Sequence, residues 1–212
     1  MSIDDLIGVR DIPEVLHFTT NKGLLGVLDS KAIKSRQRLK DSQRLEYILK
    51  LNTPKVMDLA WIDYVNLSIT RINSTLYDIS SGRWHNNSDI WWCILSFRPE
   101  ILTHSDVKFV TTNNIYPAAR RGQGEPALDA LFADEVLARY SKKMTRSLEM
   151  PVSVPTCEQA EVLYPGEFST EFLQKIYVLT DEDQDDASAQ LAATCHPVVD
   201  IIVDPKKFTN EY

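Results

Sequence analysis

The sequence predicts a mixed α+β fold, organised as a single domain over residues 1–212. Three observations lead there. Short strand-like runs are interleaved with stretches of helical periodicity. No Pro/Gly/Ser-rich linker divides the 212 residues, a length that suits one domain. Glycine is scarce, at seven residues. Neither G-x-G-x-x-G nor G-x-x-x-x-G-K-[ST] occurs, so nothing supports a Rossmann dinucleotide site or a P-loop.

The elements follow in order. Val15–Thr19 reads as a strand. Asn21–Ser30 places Leu24, Leu25, Val27 and Leu28 at helical spacing, with Thr20 or Asn21 as cap. Asp41–Lys50 sets Leu45, Ile48 and Leu49 on one helical face, and Asn66–Thr70 alternates as a strand. Residues 80–87 read as a polar loop. Ile90–Phe97 is aromatic and β-branched, the signature of a buried strand, and Pro99 ends it. Val107–Val110 is a further short strand. Pro126–Tyr140 predicts a helix with Leu128, Leu131, Phe132, Val136 and Leu137 as its apolar stripe. Tyr140–Gln159 is basic, then broken by prolines, and reads as a loop. Ala160–Leu163, Ile176–Leu179 and Val198–Val203 read as strands. Asp181–Asp186 holds five carboxylates in six positions and reads as a solvated loop.

Composition narrows the function. The net charge of −7 argues against a broad, non-specific nucleic-acid surface. Basic residues nevertheless gather at Lys31–Arg44, at Arg120-Arg121 and at Arg139–Arg146, so a local basic groove is compatible with the balance. Cys93, Cys157 and Cys195 are odd in number and far apart, which speaks against a disulfide framework and against a metal site. The polar, acidic start lacks the form of a secretory signal, and no apolar run reaches the roughly 20 residues of a membrane helix. The expectation is a cytoplasmic protein without membrane contact.

Five residues stand out chemically. Glu161 lies between Ala160, Val162 and Leu163 in a strand-like run, where an unpaired charge is costly to bury. It is either a solvent-facing strand residue or a carboxylate aimed into a cleft, able to accept from a sugar hydroxyl or act as a general base. His17 and Thr19 sit two apart on a strand and share a face. They are either satisfied core groups or a pair that reads a ribose hydroxyl or an amide. Arg44 and Arg71 are candidate anion ligands, because the guanidinium fork matches phosphate.

Four short stretches occur in a telling order: Leu16-His17-Phe18-Thr19, Asp63-Tyr64-Val65-Asn66-Leu67, Thr111-Thr112-Asn113-Asn114 and Gln159-Ala160-Glu161-Val162-Leu163. With them the chain, from about residue 14 to 208, resembles the DarT family of DNA ADP-ribosyltransferases. The first stretch resembles that family's Y-H-I-T strand and the second its D-Y-V-P-L/F. Residues 71–77 are similar to its P-R-N-P-M-L-Y, and Gln159–Leu163 matches its Q-A-E-V/F-L. Departures are Asn66 for a proline, Ser74 and Thr75 for proline and methionine, and a thinned Q-x-R-R-x-R cluster.

The resemblance implies an ADP-ribosyltransferase-like fold with a mixed, mainly antiparallel central sheet and flanking helices. It implies NAD as co-substrate, no metal, and transfer of ADP-ribose to a nucleobase of single-stranded DNA, with RNA as an alternative acceptor. Glu161 is then the catalytic glutamate and Arg44 the catalytic arginine, with Arg38 as second candidate. His17, Phe18, Thr19, Leu25 and Arg71 fall on the NAD side. A toxin of this kind implies an antitoxin with ADP-ribosyl-glycohydrolase activity. Two other readings stay open at this level: transfer to a protein or small molecule, and a non-catalytic binding module.

Overall fold

The computed structural model describes residues 1–39, 60–84 and 89–209. Its frame is an eight-stranded sheet in the order β12-β11-β4-β1-β3-β9-β5-β6. These strands are β1 (Val15–Thr20), β3 (Tyr64–Ile69), β4 (Trp92–Phe97), β5 (Lys108–Val110), β6 (Arg121–Gly122), β9 (Glu161–Pro165), β11 (Leu173–Val178) and β12 (Asp200–Val203). Pairing is antiparallel throughout except between β11 and β12. The mixed, mainly antiparallel sheet expected from the sequence is therefore present. Short pairs flank it: β2 (Ala32–Lys34) with β10 (Glu167–Ser169), and β7 (Glu135–Leu137) with β8 (Lys143–Thr145).

Alternation along the strands creates two layers. Val15, Leu67, Ile69, Leu95, Phe97, Phe109 and Val162 face the main core. The opposite face carries a smaller cluster, with Leu16, Ile94, Tyr77, Trp92 and Phe208. Helix α2 (Asn21–Ser30) follows β1 directly. Thr20 caps it by accepting from the Gly23 amide at 3.3 Å, and Leu24 and Leu28 dock it onto the core.

Three local expectations are corrected. Pro126–Tyr140 is not one helix. A short α4 (Glu125–Asp129) and a 3-10 turn (Ala130–Phe132) bury Leu128, Leu131 and Phe132, and the chain then extends at Ala133. Val136 pairs with Met144 in the β7–β8 hairpin, so it is buried while Leu137 faces out. Cross-strand hydrogen bonds and a two-residue period displaced the helical stripe there. The acidic run is not a loop. It opens α5 (Asp181–Ala193), where Thr180 and Asp183 form a capping box and three acids occupy the positive first turn. Residues 80–84 form a π-helical turn following α3 (Ser74–Ile79) rather than a loop. The helix expected over Asp41–Lys50 lies outside the described residues. A further helix, α1 (Ile3–Val9), closed by a Ser2–Asp5 capping box, precedes β1.

Candidate active site

Glu161 is the first residue of β9 and only 8% exposed. It pairs with Val110, the last residue of β5. The chain leaving β5 folds back over it, and the Asn114 amide donates to Glu161 Oε2 at 3.0 Å. That loop is tied internally. Arg120 N donates to Thr111 Oγ1 at 3.2 Å while Thr111 N donates to the Arg120 carbonyl at 3.1 Å. Arg121 locks the arrangement. Its Nε donates to Asn114 Oδ1 at 2.7 Å, its Nη2 to the Asn114 carbonyl, and its Nη1 to the Ala119 carbonyl at 3.1 Å. A backbone amide fixed in this way orients one carboxylate oxygen without a side-chain rotor, which preorganises the acid. Just ahead of Glu161, the Cys157 thiol donates to Thr112 Oγ1 at 3.3 Å, and Cys157 packs against the β7–β8 hairpin. Burial pushes that thiol's pKa up, so Cys157 is a packing residue.

His17 and Thr19 lie on β1. Pairing of β1 with β3 is confined to Val15↔Ile69 and Leu16↔Ser68. From His17 onward the two strands part, while β1 stays paired with β4 as far as Thr20↔Trp92. His17 Nδ1 bridges the opening by donating to the Asn66 carbonyl at 3.0 Å. A carbonyl only accepts, so the proton sits on Nδ1 and Nε2 is left as an acceptor. Desolvation, the larger influence, holds the imidazole pKa below its ordinary value despite the Asn66 carbonyl. The ring is therefore neutral. Thr19 Oγ1 rests on Gly23 so closely that any Cβ there would drive into it. Gly23 is thus required by this approach, and it sets the Thr19 hydroxyl against the first turn of α2.

β3 separates β1 from β9, so the backbones carrying His17 and Glu161 are two strand spacings, about 10 Å, apart. Alternation sends His17 and Thr19 to the Val15 side and Glu161 to the side opposite Val162.

The remaining sequence candidates divide. Phe18 packs edge-on against Tyr77 and tilted against Trp92, centroids 5.8 Å away in both cases. Leu25 is 44% exposed on α2, while its neighbour Leu24 is buried. Arg71 lines a small pocket with Val154, Pro155, Cys157, Glu158 and Ala160, immediately before Glu161. Thr70, just ahead of Arg71, turns the chain there with a left-handed φ of 61° and donates to the Ser153 carbonyl at 2.8 Å. Arg44 lies outside the described residues. Arg38 is placed elsewhere. It donates to Asp63 at 3.1 Å and lies on Gly166, beyond the far end of β9 and about 16 Å along the strand from Glu161. Ser35 shares Asp63 at 2.6 Å, so the D-Y-V aspartate anchors structure at that end. Arg146, in the basic segment read from sequence as a loop, donates to the Val154 carbonyl at 2.7 Å and the Pro151 carbonyl at 2.6 Å. Asn114 and Arg121 are the residues that the sequence marked only as motif and charge. Their role depends on how one loop closes, and residue type alone carries no signal of that.

The family model described as ssDNA thymidine ADP-ribosyltransferase, DarT, matches residues 16–209. Among curated proteins none matches significantly. Solved structures share the fold. The DarT of Thermus sp. 2.9 in complex with NAD+ is 15% identical, with 94% of this chain and 98% of that chain covered and a TM-score of 0.63. The same protein in complex with ADP-ribosylated ssDNA gives 16%, 94%, 97% and 0.64. Thermosipho africanus DarTG in complex with ADP-ribose gives 17% and 0.59, with 92% of this chain and 51% of that chain covered. With the match running from β1 through the last strand and over Glu161, the chain belongs to the DarT family and is an NAD-dependent ADP-ribosyltransferase acting on single-stranded DNA.

Proposed function

We propose that the whole chain is one catalytic domain that moves ADP-ribose from NAD to the base of thymidine in single-stranded DNA, with Glu161 as the catalytic carboxylate. The observation that carries this is the clamp on Glu161: a nearly buried carboxylate, fixed through Asn114 and Arg121, at the first residue of an interior strand of the sheet. NAD supplies an ADP-ribosyl group whose bond to nicotinamide breaks with positive charge developing on the ribose ring. The residues present fit it. His17 offers a neutral acceptor nitrogen for a ribose hydroxyl, and Thr19 offers a hydroxyl in a cradle that a Cβ at Gly23 would fill. Glu161 accepts a hydrogen bond from a ribose hydroxyl, stabilises the developing positive charge and takes the acceptor's proton. Arg71, beside the segment leading to Glu161, faces phosphate. Arg44 remains the proposed catalytic arginine.

The test is transfer of labelled ADP-ribose to oligonucleotides with and without thymine, in DNA and RNA versions, with a protein acceptor alongside. Label confined to thymine-containing single-stranded DNA supports the reading, and label on thymine-free strands or on protein overturns it. The proposal includes a cytoplasmic site of action and a partner antitoxin that cleaves the ADP-ribosyl link. No helix among the described residues is long and apolar enough to cross a membrane.

Two further outcomes are expected. Gly23→Ala displaces the Thr19 hydroxyl and raises KM for NAD roughly tenfold, the value of one lost hydrogen bond, with kcat changed less. Steady-state kinetics check it, and an unchanged KM removes Thr19 from the NAD site. The pH profile follows from His17. Its neutral form is the working one, and its pKa lies below the ordinary 6.5 or so. Activity therefore holds as pH falls through about 6.5 and declines only below the depressed value. An inflection in kcat/KM for NAD at or above that pH contradicts the assignment.

A further inference from the structure

The tip of the β7–β8 hairpin is the oddest surface feature outside the site. Two successive non-glycine residues, Tyr140 at φ 56° and Ser141 at φ 57°, hold left-handed backbone. An Asn-Gly pair would make such a turn without strain, whereas a bulky residue makes it at a penalty. What the turn achieves is exposure. Tyr140 is 87% exposed, and the Arg139 guanidinium lies over its ring at 4.7 Å from the centroid. Lys142 and Lys143 stand beside it, Lys143 paired with Glu135 at 2.9 Å. An aromatic ring backed by a guanidinium and flanked by lysines, on an otherwise acidic protein, is the composition of a single-strand stacking platform.

Its position is firm. The hairpin packs through Val136 and Ala138 on Cys157, which bonds to Thr112 in the loop that clamps Glu161. From Val136 to Tyr140 is four residues, a reach of at most about 13 Å. The tip therefore stands a few nucleotides from the carboxylate.

We propose that Arg139-Tyr140 stacks one base of the DNA strand flanking the modified base, and so reads and holds the strand by its neighbour. This rests on the single-stranded DNA acceptor proposed above.

The test uses oligonucleotides with one thymine acceptor and a single abasic site moved stepwise along each flank. With the native chain, one flanking abasic position raises KM for the strand about 5- to 150-fold, the range of base–aromatic stacking. Tyr140→Asn keeps a residue that tolerates left-handed backbone. It raises KM for the intact strand by the same factor, and the abasic position becomes silent. Tyr140→Phe retains native behaviour, and NAD hydrolysis without acceptor is unchanged in both variants. An unaltered KM in Tyr140→Asn, or the same abasic profile as the native chain, overturns the platform alone. Absence of transfer by the native chain overturns the acceptor assignment and the platform with it.

Discussion

Glu161→Gln lowers kcat for transfer to single-stranded DNA by about 10²- to 10⁴-fold, the usual worth of a positioned acid–base group. The substitution is chosen because it leaves the architecture alone. A glutamine places an amide oxygen where Oε2 now accepts from the Asn114 amide, so the loop from Thr111 to Arg121 keeps its closure. The melting temperature accordingly moves by no more than about 2 °C, as for a substitution within ±0.5 kcal/mol in a chain of this size. Charge is what is lost. If the carboxylate balances positive charge on the ribose and takes the acceptor's proton, neither survives in an amide. Arg121→Gln tests the same point from outside. It removes the guanidinium that holds Asn114, and with it the backbone donor to Glu161 is no longer fixed.

Lys207→Met destabilises the fold by about 2–3 kcal/mol, and lowers the melting temperature by roughly 5–10 °C. Glu14, 3% exposed at the entrance to β1, is held by three donors from distant parts of the chain. Its Oε2 accepts from the Ser96 hydroxyl at 2.6 Å and the Tyr177 hydroxyl at 2.9 Å, and Lys207 Nζ meets Oε1. Lys207 also lies over the Tyr177 ring at 4.9 Å. Burial and the adjacent carboxylate both push the Tyr177 phenol's pKa up, so it stays protonated and donating. Methionine leaves the buried carboxylate with its two hydroxyls and no cation. The loss falls at or below the low end for a broken buried pair because Lys207 is a quarter exposed. The double variant Glu14→Gln, Lys207→Met recovers more than half of the loss by removing the stranded charge. Thermal unfolding of the three variants checks this, and a double variant no more stable than Lys207→Met contradicts it.

What the sequence made legible, and what it did not, follows from how local each signal is. β1 and α2 were readable because alternation, the Thr20 cap and the Leu24–Leu28 spacing are set within a few residues. Glu161 was readable as an anomaly in an apolar strand, and its tether was not. Asn114 and Arg121 act through loop closure, which depends on β5 pairing with both β6 and β9. Val136 and Leu137 fit a helical stripe and a strand equally well, and the partner Met144 decided between them. The acidic run from Asp181 carried its own helix signal, Thr180 with Asp183 three positions into the helix, but charge density masked it. Glu14 joins residues up to 193 positions apart, so no local pattern announces it. Arg38, the second candidate for the catalytic arginine by resemblance, pairs with Asp63 beyond the far end of β9 from Glu161, a long-range contact that no local pattern announces.

Incubation of the chain with NAD and a thymine-containing single strand, followed by mass analysis of the DNA and quantitation of nicotinamide, tests the central claim most directly. The native chain should yield strands carrying ADP-ribose on thymine with an equal amount of nicotinamide, and Glu161→Gln should yield neither at a comparable rate. Nicotinamide release without a DNA adduct, or equal adduct from both proteins, would contradict it.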